Sequence, residues 1–259
     1  MDIVKYDNKL NEINLNNFEQ MDLNFLFKIC VEVRDKQSDI IEIPFEDLKK
    51  SCNYRKTDQA SFLKDIIRMN AKLQKITGKF ENEDEVVQFN LFSTFRTLKS
   101  KKILQVRVNP DFVFLLNDLS KNFTKFEFQE LVSLKGIHAK KLYTHLKQFR
   151  TTGTYVVSLE DIKKILGVTN YVTKNVTKQA IEPAVEELKE YFKELHCEVL
   201  YEAKRGRPVK GYKFSFVPEK NIGQQKQKKK TKFSNFLERE YTTAEMDDLE
   251  VALLKRNLK

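Results

Sequence analysis

Apolar positions along the chain alternate between helical and strand spacing. Phe18, Met21, Phe25, Leu26, Ile29, Cys30 and Val33 recur every three to four residues and predict a helix with one apolar face. Residues 1–17 ahead of it mix a short apolar start with Asn-rich turn material. After a polar break at 34–39, residues 40–44 predict a strand and Phe45–Ser51 a short helix. A longer helix follows over about 58–76, with Phe62, Leu63, Ile66, Ile67, Met69 and Leu73 inward. Residues 77–79 read as its stop and 81–85 as an acidic turn. Residues 86–92 alternate as a strand, with Ile103–Val108 the expected partner and a basic turn at 96–102 between them. Residues 111–119 form a short apolar element that leads into the second half.

There, 123–131 is amphipathic by either period, so its class stays open. Ser133 is the expected cap of a helix over 137–149, with Ala139, Leu142, Tyr143, Leu146 and Phe149 inward. Residues 158–167 are a short helix closed by Gly167; a polar turn at 168–174 leads to a long helix over about 175–195. A strand at 197–202, a basic tip at 203–211 and a returning strand at 212–216 complete the segment. Helix, turn, helix and hairpin is the order of a winged helix-turn-helix, usually a reader of duplex DNA. The first half repeats it. Phe45-Glu-Asp-Leu-Lys-Lys50 matches Leu159-Glu-Asp-Ile-Lys-Lys164. Both copies follow a short β-branched run and precede a polar turn with a tyrosine (Tyr54, Tyr171) and a long amphipathic helix. The expected fold class is α+β: two tandem winged helix-turn-helix domains related by internal duplication, plus a flexible basic C-terminal tail. Expected boundaries are 1–117 for a dimerising, DNA-contacting domain, 118–219 for the main DNA reader and 220–259 for the tail. Within the tail, Thr243 is the expected N-cap of a short helix over 243–254, whose stripe of Met246, Leu249 and Leu253 would dock on a partner.

Composition narrows the chemistry. The 259 residues carry a net charge of +10, which favours anionic partners, nucleic acid first. No apolar run is long enough to cross a membrane and the start lacks a signal-peptide core, so a cytoplasmic protein is expected. Cys30, Cys52 and Cys197 are scattered; Cys30 and Cys197 read as buried small hydrophobes. His138, His145 and His196 make no metal-type pair, so no metal or other cofactor is expected. A phosphate loop, a nucleophile elbow and a His-hydrophobe-His nickase motif are all missing from the sequence, which argues against an enzyme.

Candidate contacts concentrate in the second copy. Lys174, Asn175 and Lys178 open the long helix, where free N–H groups already favour phosphate. Asn170, Tyr171, Thr173, Asn175 and Gln179 are the groups able to discriminate base edges. Glu182, Glu186, Glu190 and Glu194 form an expected stripe that must face away from DNA, screened by Lys189 and Lys193, and Pro183 should bend the helix. The tip holds Lys204, Arg205, Arg207 and Lys210, a wing aimed at backbone phosphate or a minor groove. Arg55, Lys56, Gln59, Lys64 and Arg68 offer a weaker version in the first copy.

Residues 133–149, Ser-Leu-Lys-Gly-Ile-His-Ala-Lys-Lys-Leu-Tyr-Thr-His-Leu-Lys-Gln-Phe, resemble the helix of iteron-binding plasmid replication initiators. Residues 159–167, 181–188 and 204–208 continue the resemblance in order. It implies two tandem winged helices that bind repeated duplex sites (iterons) at a plasmid origin as monomers. It also implies dimers, formed through the first domain, that repress the protein's own synthesis, recruitment of host initiator and replicative helicase, and no nuclease activity. It places DNA contacts at Lys174, Asn175, Lys178, Lys204, Arg205 and Arg207. The first copy departs from a basic recognition helix. Two other readings stay open: a winged-helix transcriptional repressor without a replication role, and a protein-interaction module in which the cations are incidental.

Overall fold

In the computed structural model the described residues are 2–37, 39–81, 84–117, 119 and 122–219. The expected tail, with its helix at 243–254, lies outside them. The chain opens on strand β1 (Ile3–Asp7) and a 3-10 turn (Asn8–Glu12), where the sequence suggested a short apolar start and turn material without a strand. Val4 and Tyr6 face inward from β1. Helix α1 (Gln20–Val33) starts on a reciprocal cap between Glu19 and Asp22. It is buried nearly all round, not on one face, because β1 and the helices Phe45–Ser51, Gln59–Leu73, Phe128–Ser133 and Ile137–Gln148 all pack on it.

The first winged helix comprises β2 (Ile41–Pro44), α2 (Phe45–Ser51), α3 (Gln59–Leu73), β5 (Phe92–Leu98) and β6 (Ile103–Val108). A hairpin, β3 (Thr77–Glu81) with β4 (Val86–Asn90), is inserted between α3 and β5. Thr77, Gly78 and Lys79 are therefore strand, not a helix stop, and β4 pairs with β3. The partner of β6 is β5. Leu91 marks the switch between the hairpins: it is fully buried and its N–H donates to the Ile76 carbonyl at 3.1 Å. Ile67, expected inward, is 48% exposed, because α3 presents Phe62, Ile66, Met69 and Leu73 to the core.

A 3-10 element (Pro110–Leu115) leads to β7 (Phe123–Glu127), α4 (Phe128–Ser133) and α5 (Ile137–Gln148), so the open stretch 123–131 divides into strand and helix. Ser133 does not cap α5. It ends α4, its Oγ bonded to the Gln129 and Glu130 carbonyls, and Gly136 holds the cap position. β7 pairs antiparallel with β1, Val4 opposite Phe126 and Tyr6 opposite Thr124, so the chain's start is stitched to its second half.

The second winged helix contains β8 (Thr154–Ser158), α6 (Leu159–Leu166), α7 (Thr173–Asn175), a π turn (Val176–Ile181), α8 (Glu182–Leu188), β9 (His196–Tyr201) and β10 (Val209–Ser215). Its sheet order, β8-β10-β9, repeats the β2-β6-β5 order of the first. The repeat extends to single hydrogen bonds. An offset of 114 residues carries Phe45 onto Leu159 and Asn53 onto Gly167. Both Asn53 (φ 52°) and Gly167 (φ 74°) are left-handed, the conformation that ends a helix in a Schellman turn. Tyr54 N–H donates to Lys49 O and Asn53 N–H to Lys50 O; Val168 N–H donates to Lys163 O and Gly167 N–H to Lys164 O. These are the same two bonds at the same offset. They also correct the tyrosine match: Tyr54 is equivalent to Val168, not to Tyr171.

The long second helix is shorter than expected. It ends at Leu188, with the π turn just ahead of Pro183, a residue that cannot donate to the helical ladder. Glu190 and Glu194 lie beyond it, Glu194 with φ 59°, so the four-glutamate stripe reduces to Glu182 and Glu186.

Candidate nucleic-acid interface

Two pieces of backbone position the second module's polar face. Val176, Ala180, Ile181, Ala184, Val185 and Leu188 bury one side of the helical run, leaving Lys174, Lys178 and Gln179 exposed and Thr173 and Asn175 half-exposed. Asn170 in the preceding turn is exposed; Tyr171 is half-buried and packs on the core. Strand β10 locks to this helix: the Tyr212 hydroxyl, on a fully buried ring, meets Thr177 Oγ1 at 2.7 Å. Gly211 lets β10 approach β8, since a Cβ there would stand 2.2 Å from the Val157 carbonyl. Helix start and wing are thus fixed to one small core.

The wing turns at Gly206 (φ 83°), which projects into open space. Arg207 N–H donates to the Lys204 carbonyl at 2.9 Å, and the Arg207 guanidinium lies 5.2 Å from the Tyr201 ring centre. Lys204 pairs with Glu202 at 2.8 Å. Each partner favours the other's charged form: Glu202 holds the Lys204 ammonium above its usual range, and Lys204 holds the Glu202 carboxyl below its own. Arg205, Arg207 and Lys210 are exposed and enter no ion pair among the described residues. Lys210 belongs to β10, where the register slips between Val209 and Gly211, rather than to the tip itself. On the helix, Lys178 pairs with Glu182 at 2.8 Å and Lys189 with Glu186 at 2.6 Å, along an edge where carboxylates begin.

The first module differs. Arg55, Lys56, Gln59, Lys64 and Arg68 are all exposed, but Lys56 and Arg68 are engaged by carboxylates. Lys56 pairs with Asp65 at 2.8 Å; this carboxylate also accepts from Tyr54 at 2.8 Å and is held below its usual range, chiefly by the Lys56 bond. Arg68 reaches Asp65, Glu19 and Asp22. The basic turn expected at 96–102 is a further cationic tip, on whose residues sequence reasoning places no candidate contact. Lys99, Lys101 and Lys102, at the β5–β6 turn, are exposed where the first wing corresponds to the second. The duplication itself was the signal that pointed there.

The motif in α5 is a packing device, not a contact surface. Leu142, Tyr143 and Leu146 are fully buried. The Tyr143 hydroxyl donates to Glu130, and Lys147 joins Glu130 (3.2 Å) to Glu219 (2.9 Å). Burial and Glu130 push the phenol well above its usual range. Cys30 and Cys52 are buried, with burial raising Cys30 to about 12, and Cys197 is only half-buried. Among the described residues no group of histidines, cysteines or carboxylates could hold a metal ion, and no helix is long and apolar enough to cross a membrane.

Fold and surface together define a tandem winged-helix protein with its strongest cationic face on the second module. The chain belongs to the initiator replication protein family: residues 3–147 match the model for "Initiator Replication protein, WH1" and residues 158–216 that for "Initiator Rep protein, WH2". A curated relative from Bifidobacterium longum (strain NCC 2705), described as "Probable replication protein rep", is 35% identical over 169 residues. That alignment covers 65% of this chain and 57% of the relative, so the chain spans little more than half the relative's length. Among solved structures, the fold is shared with the Pi initiator protein, crystallised in complex with iteron DNA. The TM-score is 0.63 at 13% identity, over 85% of this chain and 98% of that one.

Proposed function

We propose that this chain acts in plasmid replication initiation by binding directly repeated duplex sites at an origin, and that it acts by binding, without bond-breaking chemistry. The carrying observation is the paired module: two helix-turn-helix units with the same turn, one presenting exposed cations at both helix start and wing. Family membership and the shared fold with an iteron-bound initiator support the same reading. Lys174, Asn175, Lys178, Lys204, Arg205, Arg207 and Lys210 would contact the main subsite, with Asn170, Tyr171, Thr173, Asn175 and Gln179 facing base edges. Arg55, Lys56, Gln59, Lys64 and Arg68 would take a lesser share through the first module. Domains at 1–117 and 118–219, a cytoplasmic setting, a monomer–dimer equilibrium and host replication partners belong to the same proposal. Footprinting on DNA flanking the gene, over a salt series, tests it. Protection should fall on direct repeats of about two helical turns and weaken steeply with salt. Protection of a single inverted site at the promoter would leave a repressor instead. Binding with neither sequence preference nor salt dependence would remove DNA reading altogether.

A further inference from the structure

Helix α5 carries two adjacent lysines that the fold buries, Lys140 at 1% and Lys141 at 6% exposure. Lysine is almost never fully buried unless paired, and neither has a carboxylate in ion-pair range among the described residues. Their partners are backbone and amide oxygens. Lys140 Nζ donates to Asn24 Oδ1 at 2.9 Å, to the Val132 carbonyl at 3.3 Å and to the Leu131 carbonyl. Asn24, on α1, passes the contact on: its Nδ2 donates to the Cys52 carbonyl at 3.2 Å. Lys141 Nζ donates to the Leu166 carbonyl at 3.4 Å and stands 3.0 Å from where a Cβ on Gly167 would lie. Cys52 and Leu166 are the same position in the two copies under the 114-residue offset. Each immediately precedes the left-handed residue of its helix-turn-helix turn. Successive helical residues point about 100° apart, so one helix can send one ammonium toward each module. An apolar side chain of similar length would fill either space at lower electrostatic cost, but would bond neither Asn24 nor the Leu166 carbonyl.

We propose that Lys140 and Lys141 are a yoke that fixes the two helix-turn-helix turns relative to each other, and thereby sets the subsite spacing that one chain accepts. They are positioning residues, buried away from the exposed cations, and the inference rests on the DNA-reading role proposed above. The test uses the full chain with Lys140→Met, Lys141→Met and the double variant, each first checked for a cooperative melt. Affinity is measured on the footprinted duplex, on duplexes with one to five base pairs inserted between the subsites, and on a duplex keeping only the second module's subsite. Wild type should lose affinity steeply as the insertion nears about five base pairs, half a helical turn. The variants should lose about tenfold or more at native spacing, through lost effective concentration of the second contact. Their spacing profile should flatten, and the single subsite should bind as wild type does. An unchanged spacing profile, or an equal loss on every duplex including the single subsite, overturns the yoke. A wild-type protein without sequence preference overturns the DNA reading instead. A second measurement needs no DNA. Spin labels at Glu46→Cys and Glu160→Cys, equivalent exposed positions on α2 and α6, should give one narrow distance that broadens in Lys140→Met. A distribution as narrow as in the wild-type background overturns the proposal.

Discussion

Replacing Arg205 and Arg207 together by alanine isolates the electrostatic part of the proposed interface. Both side chains are exposed on a turn that projects into open space, so their loss should leave stability within about 0.5 kcal/mol of wild type. Neither is neutralised locally: the wing's carboxylate, Glu202, holds Lys204, while Arg207 rests on the Tyr201 ring. If each guanidinium meets one phosphate, each contributes about −0.9 to the slope of log affinity against log salt. The double variant should therefore bind with a slope shallower by about 1.8. Over a fourfold rise in salt, wild type should lose about twelvefold more affinity than the variant, since four to the power 1.8 is about twelve. Fluorescence anisotropy on the footprinted duplex and on a shuffled duplex reads both slopes. Loss should be alike on the two DNAs, because phosphate contacts carry no sequence information. A slope unchanged from wild type, or a loss confined to the footprinted sequence, would refute the placement of the wing on the backbone.

Other outcomes follow from single contacts. Asn175→Ala should relax preference at particular base pairs and leave random DNA affinity unchanged; equal loss on both, read by selection from randomised duplexes, removes it from the reading set. Glu202→Gln frees Lys204 from its 2.8 Å partner and should steepen the salt slope by up to about 0.9, measured as above. Burial lowers His145 from its ordinary 6.5 to about 4, so the unfolded chain binds the proton more readily than the native one between those values. Stability should thus be fully present above pH 6.5 and fall as pH drops towards 4; thermal melts of wild type and His145→Gln across that window check it, the variant's curve being flatter. Gly167→Ala should cost about 1–2 kcal/mol in chemical denaturation, from its left-handed backbone and from the Lys141 ammonium 3.0 Å from the added carbon. At the same offset, Asn53→Gly should be neutral or slightly stabilising.

What the sequence disclosed depended on whether the determining contact was local. The repeat at Phe45 and Leu159 was legible because the apolar and charged spacing of a short helix is written in consecutive residues, and its structural counterpart reaches down to matched backbone bonds at Tyr54 and Val168. The wing was legible for the same reason: cations around a glycine between two strands have little choice but to be exposed. The pairing of β1 with β7 was not, since Ile3 and Glu127 are neighbours only through the tertiary fold and a five-residue alternating strand does not name its partner. The β3–β4 hairpin was lost because residues 77–79 end a helical pattern and begin a strand at once, which local propensity cannot separate. Within the site, the exposure of Arg205 follows from composition, whereas the capture of Lys56 by Asp65 depends on how the turn folds back on α3, and that of Arg68 by Asp22 on how α3 lies against the start of α1. The largest miss has the same origin. Lys140 and Lys141 read as surface residues on any composition rule, and only packing on α1, α4 and α6 turns them into buried donors. The residues that mark a winged helix are therefore local, while the buried lysines packed between two of them are not, which is why the second module's exposed cations could be located from the sequence and the packing between modules could not.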